Sequence, residues 1–295
     1  IKGMYKQYSD TIKLSDKAII GSTQNEEVSN FSIDMADMAV SKPDDYYVMG
    51  VLNSLSPLTW DENMAGSLYV YASRNQPIVI TCCSMAGFTS HINLYATLLT
   101  NNIEVISGIV LAQMIKPGVP VVYGNVSGVA DLKTMNLSLG SPDVILLSVA
   151  ATQMSKFYNI PVRCGGGFTD GKVIDAQTGV ESSTMLLFTL LNKVSFSLHA
   201  LGMLESFNSM SLEKWILDEE TIRRAKYLLN KQVDNSSEDL LSIINNIGPG
   251  GNYLYENSTL TKFRDEHFIP QVADRLSYNS WKEKGLSTED VCKKI

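Results

Sequence analysis

Cysteine is scarce in this chain: four residues in 295. Cys82 and Cys83 are adjacent, Cys164 stands alone before glycines and Cys292 lies near the end. That spacing builds neither a disulfide framework nor a zinc site, so a reducing, cytoplasmic setting is expected. Positive charge is also short, with 24 basic against 31 acidic residues and a net charge of −7. Without a Lys/Arg stripe a nucleic-acid surface is not expected, and the balance mildly favours a cationic ligand over a phosphate. No apolar run is read as reaching the roughly 18–20 residues that span a bilayer, and there is no signal peptide, so no membrane partner is expected. The GxGxxG, HExxH, nucleophile-elbow and CxxC patterns are missing, which removes the usual support for hydride transfer, zinc hydrolysis and serine esterase chemistry. GPGG at 248–251 lacks the preceding strand and the Lys-Ser/Thr of a phosphate loop and reads as a tight turn. The chain begins with Ile1 rather than Met, as a piece of a longer polypeptide would.

What is present is a strand–helix rhythm. With 44% hydrophobic residues the chain can bury one large core, or one core plus an appendage. β-branched runs recur at 17–23, 46–52, 77–85, 120–127, 161–167 and 194–201. Most lack polar alternation, as parallel strands covered on both faces do. Pro77, Pro120 and Pro161 open three of them, where a missing N–H costs least. Helical periods lie between, at 94–118 and again after the Ser141-Pro142-Asp143 start signal. About six units of roughly 35–40 residues fit an open doubly wound sheet or a barrel, and a barrel needs eight. The expectation is an α/β protein of TIM (β/α)8 type, short of its first two units, over residues 1–207. Ser211 begins an amphipathic helix and Ser236 signals another start. Residues 208–295 therefore read as a helical C-terminal extension packed on the barrel.

In strand–helix repeats, functional groups collect where strands end and helices begin. The stretch GGFTDGKVIDAQTGVESS (166–183) puts Asp170, Asp175, Gln177 and Glu181 at such an exit. Asp175 is placed to cap a helix, and Gln177 and Glu181 then stand four apart on one helical face. The bland alternative is that all of them serve the cap, the helix dipole and a turn. His199 ends the run VSFSLHAL, with Phe207 beyond it; a lone histidine there can equally be a hydrogen-bonded core residue. Asn53, Ser54 and Asn125 follow strands, and Asp131 has the look of a cap; turn chemistry accounts for all four as well. His91 and His267 read as structural. No metal site is expected.

Long ordered segments then give a resemblance. GGGFTDGKVIDAQTGVES, NNIEVISGIVLAQMIKPGVPVVYG and DLKTMNLSLGSPDVILL, with SLEKWILDEE, INNIGPGGNYL and STLTKFRDEHFIPQVADRLSYNSWKEKG in the tail, resemble the trimethylamine methyltransferase (MttB) family. The likeness runs from about Asp34 to Gly285. It implies a TIM barrel that passes a methyl group from a methylated amine to the Co(I) corrinoid (cobalamin) of a separate small protein. The founding members use pyrrolysine, which this sequence does not contain. It is thus similar to the non-pyrrolysine branch, whose substrates are quaternary amines such as glycine betaine, proline betaine and carnitine. A quaternary nitrogen leaves as a neutral amine, so the enzyme has to supply alignment, a dry pocket, aromatic faces for the cation and donors for the substrate carboxylate. The resemblance offers His199 for that carboxylate and Phe207 for the ammonium, with Asn53, Asp170, Gln177 and Glu181 as further substrate-binding residues. His91 and Asn93, where the family usually has small residues, are expected to retune the pocket. The corrinoid is expected on the cognate partner protein and not bound tightly here; a homo-oligomer is compatible with all of this. The alternatives left open are a non-catalytic or truncated barrel that docks the corrinoid protein, and a methyltransferase acting on trimethylamine.

Overall fold

A computed structural model describes residues 2–39, 46–232 and 240–295. Helix α1 (Lys2–Leu14) leads into β1 (Ile19–Gly21) and α2 (Glu26–Asp37). Then come β2 (Val48–Asn53), α3 (Glu62–Ser73), β3 (Ile78–Thr81), the short β4 (Met85–Ala86) and α4 (Leu94–Ile115). The central units are β5 (Val121–Gly124), the hairpin β6 (Gly128–Asp131) and β7 (Asn136–Ser138), α5 (Pro142–Phe157), β8 (Val162–Arg163) and α6 (Ala176–Leu191). The hairpin β9 (Met203–Leu204) and β10 (Ser209–Met210) precedes α7 (Leu212–Asn230), α8 (Leu240–Ile247), α9 (Asn257–Glu266), α10 (Tyr278–Lys284) and α11 (Thr288–Cys292).

The main sheet is wholly parallel, with strands in the order β1-β2-β3-β5-β8. Chain order and spatial order agree, and a doubly wound sheet would reverse at a switch point. The sheet is therefore a singly wound arc. Among the described residues it does not close into a barrel: β1 and β8 both end it, and five strands fall short of the eight that closure needs. The sixth expected strand, at 194–201, is reduced to one parallel bridge between Phe196 and Arg163. Beyond it the chain leaves the extended path, because His199 adopts a left-handed φ of 56° and its carbonyl accepts from Gly167 N. Glycine permits that approach: a Cβ on Gly167 would lie 2.5 Å from the Ala200 carbonyl.

Side chains of the arc alternate. Leu52, Ile78, Ile80, Tyr123 and Val162 pack outward on Ile33 of α2, Leu68 of α3, Val105 and Ile109 of α4 and Ala151 of α5. Residues between them face the other way, so Asn53, Thr81, Gly124 and Arg163 lie on the concave side. The register aligns Asn53 with Thr81 and Gly124 with Arg163.

The expected start signals hold where they can be seen. Ser141, Asp175 and Ser211 cap α5, α6 and α7 by accepting from Asp143, Thr178 and Lys214 N–H groups. The start expected at Ser236 lies outside the described residues. His91 and Asn93 serve the start of α4: Asn93 caps it, and its own N–H donates to His91 Nδ1. One expectation is corrected. Leu94–Ile115 is, by length and composition, apolar enough to cross a membrane. It nevertheless packs on β3, and its single charged residue, Glu104, is buried and accepts from Ser54, Ser56 and Leu58.

Candidate active site at the strand ends

β8 delivers Arg163 to the concave side at the C-terminal edge of the sheet. Its side chain is 2% exposed, yet no carboxylate pairs with it, and Nε and Nη1 have no hydrogen-bond partner among the described residues. Only Nη2 is engaged, 3.2 Å from His199 Nδ1. Burial lowers the guanidinium to about 10, which leaves it charged at neutral pH. A buried cation with two idle donor positions is expensive unless an anion comes to meet it.

His199 answers to that cation. A guanidinium only donates, so Nδ1 must present its lone pair and the ring proton must sit on Nε2. Desolvation first, and the Arg163 charge second, push the imidazole down to about 4. At neutral pH His199 is thus an uncharged donor, not an acid. Its ring stacks on Phe207 at 5.7 Å between centroids and 27° between planes. Phe168, buried beneath, touches both rings at 5.8 and 6.1 Å. Phe207 stays 39% exposed and offers its outer surface to the solvent side.

Phe207 is also a wall of a cavity of about 570 Å³, which Asp131, Asp170, Lys172, Gln177, Glu181 and Glu205 line as well. Four carboxylates against one lysine favour a cation there. The rim is wired to the backbone. Asp170 accepts from Ser138 Oγ (2.5 Å), Leu139 N (2.9 Å) and Ser206 Oγ (2.5 Å). Glu181 accepts from Thr169 Oγ1 (2.6 Å), Asp170 N (2.8 Å) and Gln177 Nε2 (3.0 Å). Their hydrogen bonds go to the protein, so these residues hold the rim in place. What they hold is unusual: Glu205, Ser206 and Phe207 are consecutive non-glycine residues at φ of 51°, 50° and 64°. Such backbone costs on the order of 1–3 kcal/mol per residue and persists where the surroundings fix it.

Of the six expected substrate-binding residues, Phe207, Asp170, Gln177 and Glu181 line the cavity, and His199 lies behind its lining, stacked on Phe207. Asn53 is not part of that cavity. It ends β2, exposed, on the same concave face as Arg163. Sequence reading missed Arg163, although one signal was there: it is the lone charge in IPVRC, a strand otherwise apolar. It also missed Lys214 and Asp218, a buried pair 2.6 Å apart on α7. Lys214 donates to the Gly167 carbonyl and Asp218 accepts from Gly202 N, so the pair ties α7 to both loops that flank His199. No trio of His, Cys, Asp or Glu suited to a metal ion occurs among the described residues.

Residues 4–293 match the sequence pattern of the Trimethylamine methyltransferase (MTTB) family. A glycine betaine methyltransferase of Desulfitobacterium hafniense (strain Y51) is 37% identical over 95% of this chain and 59% of its own length. A proline betaine:corrinoid methyltransferase of Eubacterium limosum is 35% identical over 77% of the chain and 47% of its own length. The trimethylamine methyltransferase MttB of Methanosarcina thermophila is 32% identical over 78% and 47%. The chain therefore spans about half the length of the curated relatives it matches. With its strand-end site and a match from one end to the other, the chain belongs to the trimethylamine methyltransferase family.

Proposed function

We propose that the protein carrying this chain is a cytoplasmic methyltransferase that takes a methyl group from a carboxylated quaternary amine, of the glycine betaine, proline betaine or carnitine kind, and passes it to the Co(I) corrinoid of a partner protein. The observation that carries this reading is Arg163: buried, charged and short of an anion, beside a neutral His199 that stacks on Phe207. The substrate carboxylate fills the empty side of Arg163 and accepts from His199 Nε2. The ammonium lies on the outer face of Phe207, over a cavity with an excess of carboxylates, where cation–π attraction contributes on the order of 1–2 kcal/mol. Held at both ends, the substrate can turn one methyl group toward the open strand ends, and orientation is the chief demand of an in-line displacement.

The corrinoid, presented by its own protein, supplies the nucleophilic metal. This chain's part is to align, desolvate and exclude water. No proton is needed, because a quaternary nitrogen departs as a neutral amine, and a histidine pushed down to about 4 has none to give at neutral pH. That detail, with Arg163, favours a betaine over trimethylamine, which offers no carboxylate and is protonated at that pH. In this reading the arc of residues 1–207 is part of a (β/α)8 barrel whose two further units close between β1 and Phe196, and residues 208–295 form the helical extension.

The test is to follow Co(I) absorbance in the presence of full-length protein, the cognate corrinoid protein and a reductant. Decay with betaines, but not with choline or trimethylamine, is the expected result. Equal decay with choline would remove the role of Arg163, and no decay with any betaine would end the proposal.

A further inference from the structure

The outer side of α4 has no task in the site described above, yet it carries a run of exposed apolar side chains. Tyr95, Leu99, Ile103, Val110 and Met114 are 49–76% exposed and repeat every four or seven positions, which places them on one helical stripe, and Ile92, 61% exposed, adjoins it just ahead of the Asn93 cap. The 22 residues of α4 contain one charge, Glu104, and it is buried. The stripe therefore runs roughly 30 Å along the helix without an ion. At these exposures the six side chains offer on the order of 700 Å² of apolar surface, close to the ~800 Å² that each partner contributes to a stable interface. Monomers seldom leave a patch of that size bare.

None of the described residues covers it. α4 is flanked by α3 and α5, in the middle of the helical layer, whereas further barrel units would add at β1 and beyond β8. A bilayer fits poorly: no lysine or arginine lies along the stripe, the net charge is −7, and Glu104 anchors the helix to the β2 loop through three hydrogen bonds. A second copy fits well. Two molecules that both carry −7 repel over most of their surfaces, and the charge-free stripe is where that repulsion is weakest. An apolar stripe is also its own complement across a two-fold axis, as an isologous contact demands.

We infer that the outer face of α4 is a homodimer interface, in which two copies pair their helices about a two-fold axis near Ile103, the midpoint of the stripe. The strand ends remain open in such a dimer, free for a partner to reach.

Sedimentation velocity of the full-length protein over roughly 0.1–50 μM tests this. The expected result is a dimer for the unaltered protein and monomers for Ile103→Glu and for Ile103→Lys, each with self-association weakened at least 100-fold. Mixing the two variants should restore a dimer, because opposite charges then meet at the axis; a merely misfolded variant would not recover on mixing, and far-UV circular dichroism checks the fold of each. A wild-type monomer at 50 μM overturns the proposal, as does an assembly that Ile103→Glu leaves intact. A monomer that floats with phosphatidylcholine vesicles, and stops doing so with Ile103→Glu, would assign the face to a membrane and overturn it too.

Discussion

Arg163 trades stability for use. A buried guanidinium with two idle nitrogens weakens the folded state, and an apolar side chain of similar volume relieves the cost. Arg163→Met should therefore raise the stability of the substrate-free protein by ~1–3 kcal/mol. The same change should lower kcat/KM for a carboxylated substrate on the order of 100-fold or more, the loss that follows when one partner of a buried charge pair is removed. Urea titration and substrate kinetics on one preparation read both. If stability falls with activity, the arginine holds structure rather than substrate. His199 gives a second residue-scale prediction. Its folded pKa of about 4 lies below the unfolded value of about 6.5, so the unfolded chain binds the extra proton between those limits. The stability that His199 contributes is thus complete above pH 6.5 and is lost as pH falls toward 4. His199→Gln should remove that part of the pH dependence, and the activity of the parent should show no inflection near 6.5 from this residue. Asp170 acts through others: it fixes the left-handed turn that presents Phe207 by accepting from Ser206 Oγ. Asp170→Asn should lower kcat/KM by roughly tenfold, as its three charge-assisted hydrogen bonds weaken, while Asp170→Glu recovers part of it.

Elements meet at two buried acids of α7. Lys214 and Asp218 sit inside the protein; burial pulls the lysine down and the carboxyl up, while their 2.6 Å contact opposes both shifts. Removing one member leaves the other unanswered, so Asp218→Asn should cost ~3–5 kcal/mol, whereas replacing both by apolar residues should cost far less. Chemical denaturation of the single and double variants distinguishes the two outcomes. Two residues on, Glu220 gathers the backbone N–H groups of Gln271, Val272 and Ala273. Glu220→Ala should speed amide exchange at those three positions and leave the sheet unchanged, a local effect that hydrogen-exchange mass spectrometry resolves.

At the scale of the molecule, these links bear on the proposed division at residue 207. Lys214 reaches back to the carbonyl of Gly167 and Asp218 to the N–H of Gly202, so the helical extension supplies buried polar partners to the loops of the sheet. A chain ending at residue 207 should lose cooperative unfolding even though every strand of the parallel sheet is present, as calorimetry would show. The fold rhythm was readable because parallel strands under helices need unbroken apolar runs, and the caps at Ser141, Asp175 and Ser211 mark helix starts by local chemistry alone. The run VSFSLHAL misled for the same reason: its composition suits a strand, but the N–H of Gly167 in the glycine loop captures the run's own His199 carbonyl and draws it off the strand path after Phe196. Rim residues Asp170, Gln177 and Glu181 were legible from their spacing, since positions four apart on a helix face together. Arg163 was overlooked because its meaning is a missing partner, and no stretch of sequence displays an absence in space.

The sequence alone determined the strand–helix alternation, the helix starts and the family, since each is written in contiguous residues whose period or order is itself the signal. Only the tertiary structure decided that the strands follow one another around a single arc, that Arg163 and His199 from separate units stand 3.2 Å apart, and that α4 turns a bare apolar face outward. Those are facts about which groups face each other across the fold, and facing is set by packing between segments distant in the chain.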